Sequence, residues 1–204
     1  AFNGFTARLT DAEVLRLQNH PDVLAISPDE SRTLDTSRTP AFLGLTTPGG
    51  LHTNGVLGEN IIIGIIDGGI TPENPAFSDK VDGAGKPVAS HLPGTPVYAP
   101  ITNARPWNGT CQAGPGFSAS TCNNKLIGAR YFNAGFGTNL TAFDFISPRD
   151  ADGHGSHTAS TAGGNAGVDS VVNGSFNGVI SGMAPRARIA AYKVCWFRAG
   201  ATQA

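Results

Sequence analysis

The most apolar run of the chain, Ile61-Ile62-Ile63-Gly64-Ile65-Ile66, shows no alternation of apolar and polar positions and stops at Asp67-Gly68-Gly69. An unalternating β-branched run of this length predicts a strand buried on both faces, as in a parallel sheet covered by helices. Residues 187–194 read as a second buried strand, introduced by a turn at Gly182-Met183-Ala184-Pro185. From Asp152 onward, small residues around Thr158-Ala159-Ser160-Thr161-Ala162 predict a helix that ends at Gly163-Gly164. Near the start, residues 2–9 alternate as a strand. Thr10-Asp11-Ala12-Glu13 then forms a capping box for a helix with Val14, Leu15 and Leu17 on its apolar side. Asn19-His20-Pro21 stops that helix, and residues 23–26 read as a further strand halted at Pro28. A strand-helix-strand of this size buries too little surface to stand alone, so residues 1–35 call for a partner surface. Residues 36–58, rich in Thr, Pro and Gly, read as a linker running into surface turns, and residues 79–148 as a loop-rich insertion around short strands.

Composition changes this picture in two ways. Charged residues make up 14% of the 204, against about 25% in an ordinary globular chain. With 27 Gly and 14 Pro, the chain is a loop-rich globular one rather than a disordered one. A net charge of -1 supplies no basic field for nucleic acid, and no apolar run approaches the roughly 18 residues of a membrane helix. The opening Ala1-Phe2-Asn3-Gly4-Phe5 has neither Met nor the features of a signal peptide, so a preceding segment is expected.

Two places carry candidate chemistry. Asp67 directly follows a predicted buried strand, where open α/β sheets gather their sites, and the two glycines after it let other groups come close. An aspartate capping a turn is the competing reading of that position taken alone. In Asp152-Gly153-His154-Gly155-Ser156-His157, His154 lies between glycines at the mouth of the small-residue helix, sterically open and suited to proton transfer near neutral pH. His157 lies one turn further on, a spacing that also suits metal binding, but no third ligand has an evident place. His157 therefore reads as a packed, hydrogen-bonded histidine, and Asp150 and Asp152 as solvated turn residues.

Ile65-Ile66-Asp67-Gly68-Gly69-Ile70 and Gly153-His154-Gly155-Ser156-His157-Thr158-Ala159 resemble the segments around the aspartate and histidine of the subtilase family. Trp107-Asn108-Gly109-Thr110-Cys111, the segment from Cys122-Asn123-Asn124-Lys125 to Arg130-Tyr131-Phe132, and Gly182-Met183-Ala184-Pro185 through Tyr192-Lys193-Val194-Cys195-Trp196 resemble its plant-type, cucumisin-like branch. Residues 1–35 are similar to the second half of that family's inhibitory propeptide, and Phe42-Leu43-Gly44-Leu45 resembles the start of the mature enzyme. The likeness covers nearly the whole chain, in the family's own order.

The resemblance implies an α/β protein: a partial subtilisin-like three-layer fold with a parallel sheet, preceded by an α+β, ferredoxin-like propeptide remnant. Residues 1–35 would be the C-terminal half of an inhibitor I9-type propeptide. Residues 36–204 would be the N-terminal part of a peptidase S8 catalytic domain, truncated before its serine. The implied activity is a serine endopeptidase acting on protein or peptide substrates. His154 would be the general base, and Asp67 would hold its tautomer and stabilise its charged form. The family order is Asp, His, Ser, yet none of Ser160, Ser170, Ser175 or Ser181 sits in a segment like the family's nucleophile. The serine and oxyanion hole are expected downstream of residue 204, and the chain alone is expected to be inactive. Gly68 stands where the family usually has Ser or Thr, and Ser156 where it usually has Thr.

The resemblance also pairs Cys111 with Cys122 and leaves Cys195, at a strand end, as a buried free thiol. Asn108, Asn139 and Asn173 head Asn-x-Ser/Thr sites, a number close to what composition yields by chance. Propeptide removal is expected between Asp35 and Thr36, with the propeptide acting as an intramolecular inhibitor. The expected protein is secreted and extracellular, a monomer without nucleic-acid or membrane partners. It needs no cofactor and no metal; calcium has no signature in these residues. From a different class comes the alternative of a non-catalytic, propeptide-like or pseudoenzyme module that binds an active subtilase.

Overall fold

The computed structural model describes residues 4–28, 38–101, 107–136 and 143–197. The chain divides into two compact units, Ala1–Asp35 and Thr36–Ala204. The expected cleavage positions Asp35 and Thr36, and the sequon at Asn139, lie outside the described residues.

Among its described residues the first unit holds one helix, α1 (Asp11–Gln18). Its capping box forms as the sequence predicts. The Glu13 amide donates to Thr10 Oγ1, and the Thr10 amide donates to Glu13 Oε2 at 2.7 Å. These bonds hold the Glu13 carboxyl below its ordinary range, the backbone amide of Thr10 acting most. Asn19 Nδ2 closes the other end on the Leu15 carbonyl at 2.8 Å. The two strands expected at residues 2–9 and 23–26 are corrected: neither belongs to a strand ladder among the described residues. Phe5 and Leu24 point into solvent, at 77% and 101% exposure. A strand exists through its ladder partners, and these segments have none, so among the described residues the α+β character reduces to one helix.

The second unit opens with the short helix α2 (Thr39–Phe42) and is organised around a parallel sheet. Its strands are β1 (Ile62–Asp67), β4 (Leu126–Tyr131) and β7 (Arg188–Lys193), in the order β1-β7-β4. Ile65 pairs with Ala191, and Asp67 and Tyr131 both pair with Lys193. Between these strands the chain makes the two-stranded ribbon β2 (Lys80–Val81) and β3 (Thr95–Pro96). Next come helix α3 (His154–Gly163) and the hairpin β5 (Val168–Val172) and β6 (Ser175–Ile180).

Helix α3 lies close on the sheet because its facing residues are small. A Cβ added at Gly163 would come within 2.8 Å of Ile189 Cδ1 and 3.2 Å of Ile63 Cδ1. Ala159 joins Ile70, Phe77, Leu126 and Ile189 in the core, with Ile63 and Ile65 packed against it. The central strand β7 is buried as expected; β1 is not. Its burial alternates, and Ile62 and Ile66 are 43% and 71% exposed. Among the described residues α3 is the one helix that covers the sheet, so only one face of β1 is covered. The assembly is two layers of the expected three.

Two buried lysines fix the ends of β7. Lys193 is sealed against Asp144 and also donates to the carbonyls of Arg149, at 2.7 Å, and Phe145. Lys125 donates to the carbonyls of Pro185 and Ala187, which orders the turn that leads into the strand. Burial, with help from Arg186 and Arg188, pulls the Lys125 ammonium down to about 7. Cys111 and Cys122 form a disulfide with their Cα atoms 5.9 Å apart, as the resemblance implies. Cys195 is corrected. It is exposed, because β7 ends at Lys193 and the thiol lies beyond the ladder. The hairpin β5–β6 was not anticipated from the hydrophobic pattern. Its turn is Asn173-Gly174, with both residues at positive φ (50° and 77°), the geometry that favours Asn-Gly between two strands. Asn108 and Asn173 are both exposed.

Candidate active site

Asp67 is the last residue of β1, and His154 is the first of α3, 87 positions later. What joins them is the meeting of the loop after β1 with the start of α3. Ile70 accepts the Asp150 amide at 3.1 Å and donates its own to Pro148 at 2.9 Å. Asp150 then builds the helix start from inside. Its Oδ2 takes the Ser156 amide and hydroxyl at 2.8 and 2.6 Å, and its Oδ1 takes the Gly153 amide at 2.9 Å. A helix leaves its first amides unpartnered, and a carboxylate there satisfies them. Asp150 is thus a buried hub, not the solvated turn residue expected from sequence. Burial alone would raise its carboxyl, but the bonds from Ser156, Gly153 and Asp152 outweigh it and hold it low. Asp152 is exposed and accepts the His154 amide at 3.0 Å.

Two glycines permit this meeting. A Cβ at Gly155 would sit 2.2 Å from the Gly69 carbonyl oxygen, and one at Gly69 would sit 2.6 Å from that of Pro148. Gly69 also has φ of 118°, which side-chain-bearing residues rarely adopt. The glycines of the two signature segments therefore explain each other. Gly155→Ala is expected to destabilise the chain by about 3 kcal/mol or more, the top of the overpacking range, because the clash is with backbone. At Gly68 a Cβ would meet nothing nearer than 3.7 Å, at Asp152 Oδ1. Gly68→Ala is therefore expected to lie within about 1 kcal/mol of wild type. Denaturant unfolding compares the two, and equal midpoints would refute the steric explanation.

The carboxylate of Asp67 is held by three donors. His154 Nδ1–H donates to Oδ1 at 2.8 Å, the Gly68 amide donates to the same oxygen at 2.6 Å, and Thr158 Oγ1 donates to Oδ2 at 3.0 Å. Desolvation, the largest single influence on Asp67, would raise its pKa. The hydrogen bonds from His154, Gly68 and Thr158 together prevail and lower it. The Asp67 hydrogen bond, and then its charge, raise the His154 pKa. Asp67 is shielded, its side chain 15% exposed, whereas the His154 ring is 68% exposed. A proton on Nδ1 facing a carboxylate leaves Nε2 as a lone pair directed away from it, the arrangement of a general base.

His157 is corrected as well. Its ring is exposed and makes no hydrogen bond among the described residues, so it does not support His154. No group of three or more His, Cys, Asp or Glu is arranged to hold a metal among the described residues. No described serine is hydrogen-bonded to His154; the hydroxyls of Ser156, Ser160 and Ser181 are engaged with Asp150, His157 and Gly182. Thr158, whose hydroxyl binds the Asp67 carboxylate, reads in the sequence as ordinary helix. The signal was present, since positions 154 and 158 are four apart and share a helix face.

Comparison with known proteins fits this geometry. Residues 58–204 match the family described as Subtilase family, and residues 1–35 match Peptidase inhibitor I9. Subtilisin-like protease SBT1.4 of Arabidopsis thaliana is 43% identical over 202 residues, covering 96% of this chain and 24% of that protein. Subtilisin-like protease SBT1.6 of the same plant is 44% identical over 205 residues, covering 98% and 24%. SBT1.5 is 43% identical over 201 residues, covering 96% and 24%. The chain spans about a quarter of the length of the curated relatives it matches. No helix among the described residues is long and apolar enough to cross a membrane. With an aspartate at the end of β1 bonded to a histidine opening α3, and a family match over most of its length, the chain belongs to the subtilase family.

Proposed function

We propose that this chain is part of a secreted, monomeric subtilisin-like serine endopeptidase that hydrolyses protein or peptide substrates through an acyl-enzyme. The observation that carries the reading is the 2.8 Å bond from His154 Nδ1 to Asp67 Oδ1, which leaves Nε2 free to act. A serine supplied by a longer protein would give its proton to Nε2 as its Oγ attacks the substrate carbonyl. His154 would then pass that proton to the leaving amine, and water would release the acyl group by the reverse use of the same base. Asp67 keeps the tautomer fixed throughout and stabilises the imidazolium as it forms. The test is labelling of the longer protein by a fluorophosphonate probe, with the 204-residue chain and a His154→Ala variant as comparisons. Labelling of the longer protein alone supports the reading.

Residues 1–35 act, in this proposal, as the C-terminal half of an inhibitory propeptide that binds the enzyme's own substrate site. Their match to the peptidase inhibitor family, and their separation as a compact unit ending at Asp35, support this role. Cleavage is proposed between Asp35 and Thr36, with N-glycosylation at Asn108, Asn139 and Asn173. N-terminal sequencing of the secreted protein is expected to begin at Thr36. An active enzyme that keeps residues 1–35 would reject the cleavage.

A further inference from the structure

We propose that Thr158 is the positioning residue that fixes the Asp67 carboxylate against His154, supplying the hydroxyl that Gly68 lacks. Asp67 has two oxygens, and His154 and the Gly68 amide both use Oδ1. The other oxygen, Oδ2, accepts from Thr158 Oγ1 at 3.0 Å and from no other described residue. A carboxylate held at one oxygen can still turn about its terminal torsion, which is broad and soft. A donor on the second oxygen removes that freedom and keeps Oδ1 in line with Nδ1. Thr158 Oγ1 is also 3.0 Å from the Gly155 carbonyl, but it has one proton to give. The ionised carboxylate is the stronger acceptor, so the proton goes to Asp67.

The surroundings leave no substitute. Gly68, the residue beside Asp67, has no side chain, and the other titratable groups nearby are Asp150, Asp152 and Cys195. Asp150 and Asp152 are occupied with the amides of the helix start. Cys195 meets Asp67 through its backbone amide, which donates to the Asp67 carbonyl at 3.1 Å rather than to the carboxylate. Thr158 lies one helical turn beyond His154, so a single rigid element carries both the base and the donor that aims its partner. The β-branched side chain has few rotamers in a helix, which suits a donor that must stay in place.

The kinetic arm of the test rests on the protease reading; the second arm does not. In the longer protein, Thr158→Val removes the hydroxyl at nearly constant volume. It is expected to lower kcat about 10- to 100-fold, the factor for one hydrogen bond to a charged group, with KM unchanged. Thr158→Ser restores the donor and is expected to recover most of the loss. In the 204-residue chain, the Asp67 carboxyl followed by carbon-13 NMR is expected to titrate at higher pH in Thr158→Val than in wild type, and to return in Thr158→Ser. A valine variant with wild-type kcat overturns the proposal, as does an unmoved Asp67 titration. Equal impairment in the serine and valine variants also overturns it, because the hydroxyl that serine keeps would then restore nothing. A longer protein without any wild-type turnover counts against the protease reading alone, and the carboxyl titration still decides the role of Thr158.

Discussion

Replacing His154 by alanine in the longer protein is expected to abolish both protein cleavage and labelling by a fluorophosphonate. The expected loss in turnover is about a millionfold, the established figure for subtilisin rather than one derived from this geometry. Among the described residues no other group is placed to take the proton. Asp150 is buried and bonded to the Ser156 and Gly153 amides, and Asp152 caps the His154 amide. His157 sits on the same helix but contributes no bond to the site. An imidazole raises the nucleophilicity of a serine only within about 2.6–3.2 Å. No described serine is hydrogen-bonded to His154, and the two on its own helix, Ser156 and Ser160, spend their hydroxyls on Asp150 and His157, so the 204-residue chain is expected to stay unlabelled. Casein cleavage by the alanine variant would remove His154 from the mechanism, and labelling of the 204-residue chain would overturn the expectation that the nucleophile is not among these residues.

Local chemistry was legible in the sequence wherever one short segment determined the outcome. The capping box at Thr10 and Glu13, the strand ending at Asp67, and the small-residue helix closing at Gly163-Gly164 all follow from neighbours in the chain. The Asp67–His154 pairing was legible through the resemblance of two segments. The reason their glycines are needed lies in three dimensions, where a Cβ on Gly155 would sit 2.2 Å from the Gly69 carbonyl oxygen. Misreadings arose where the deciding partner was distant or absent. Asp150 looked like a surface turn because the groups it serves lie three to six positions ahead, on a helix that folds over it. Residues 23–26 look like a strand because the apolar pattern is right, yet a ladder requires a second segment. Ile62 and Ile66 are apolar as a doubly covered strand demands, but among the described residues the sheet has a helix on one face only. The Asn173-Gly174 hairpin was a different kind of miss, since its turn signal was present in the sequence and went unread.

Asp67→Asn is expected to slow the longer protein strongly, yet to leave at least about tenfold more turnover than Asp67→Ala, whose loss is expected to be about 3 × 10⁴, the established subtilisin figure rather than one derived from this geometry. In a Ser-His-Asp triad an asparagine commonly reverses the histidine tautomer, at a cost of about 10⁴. This site resists that reversal. The Gly68 amide can only donate, and it points at Oδ1 from 2.6 Å. An asparagine must therefore put its carbonyl oxygen there, which is the same oxygen that faces His154 Nδ1. Its amide group then faces Thr158, whose hydroxyl is free to accept it while donating to the Gly155 carbonyl at 3.0 Å. Nδ1 keeps its proton and Nε2 stays available as a base. What is lost is the negative charge that stabilises the imidazolium in the transition state. The pH dependence follows with a definite sign. Asp67 raises the His154 pKa, so in the wild type the acid limb of activity lies above the ordinary histidine value. Removing the charge lowers that pKa and moves the limb to lower pH. The matched contribution to stability behaves likewise: it is present below the unfolded histidine pKa, is lost as pH rises through the folded one, and disappears in the asparagine variant. Profiles of kcat/KM against pH for both variants check the argument. An asparagine variant no more active than the alanine one would show that the tautomer had reversed despite Gly68, and an acid limb that moves upward would refute the role given to the Asp67 charge.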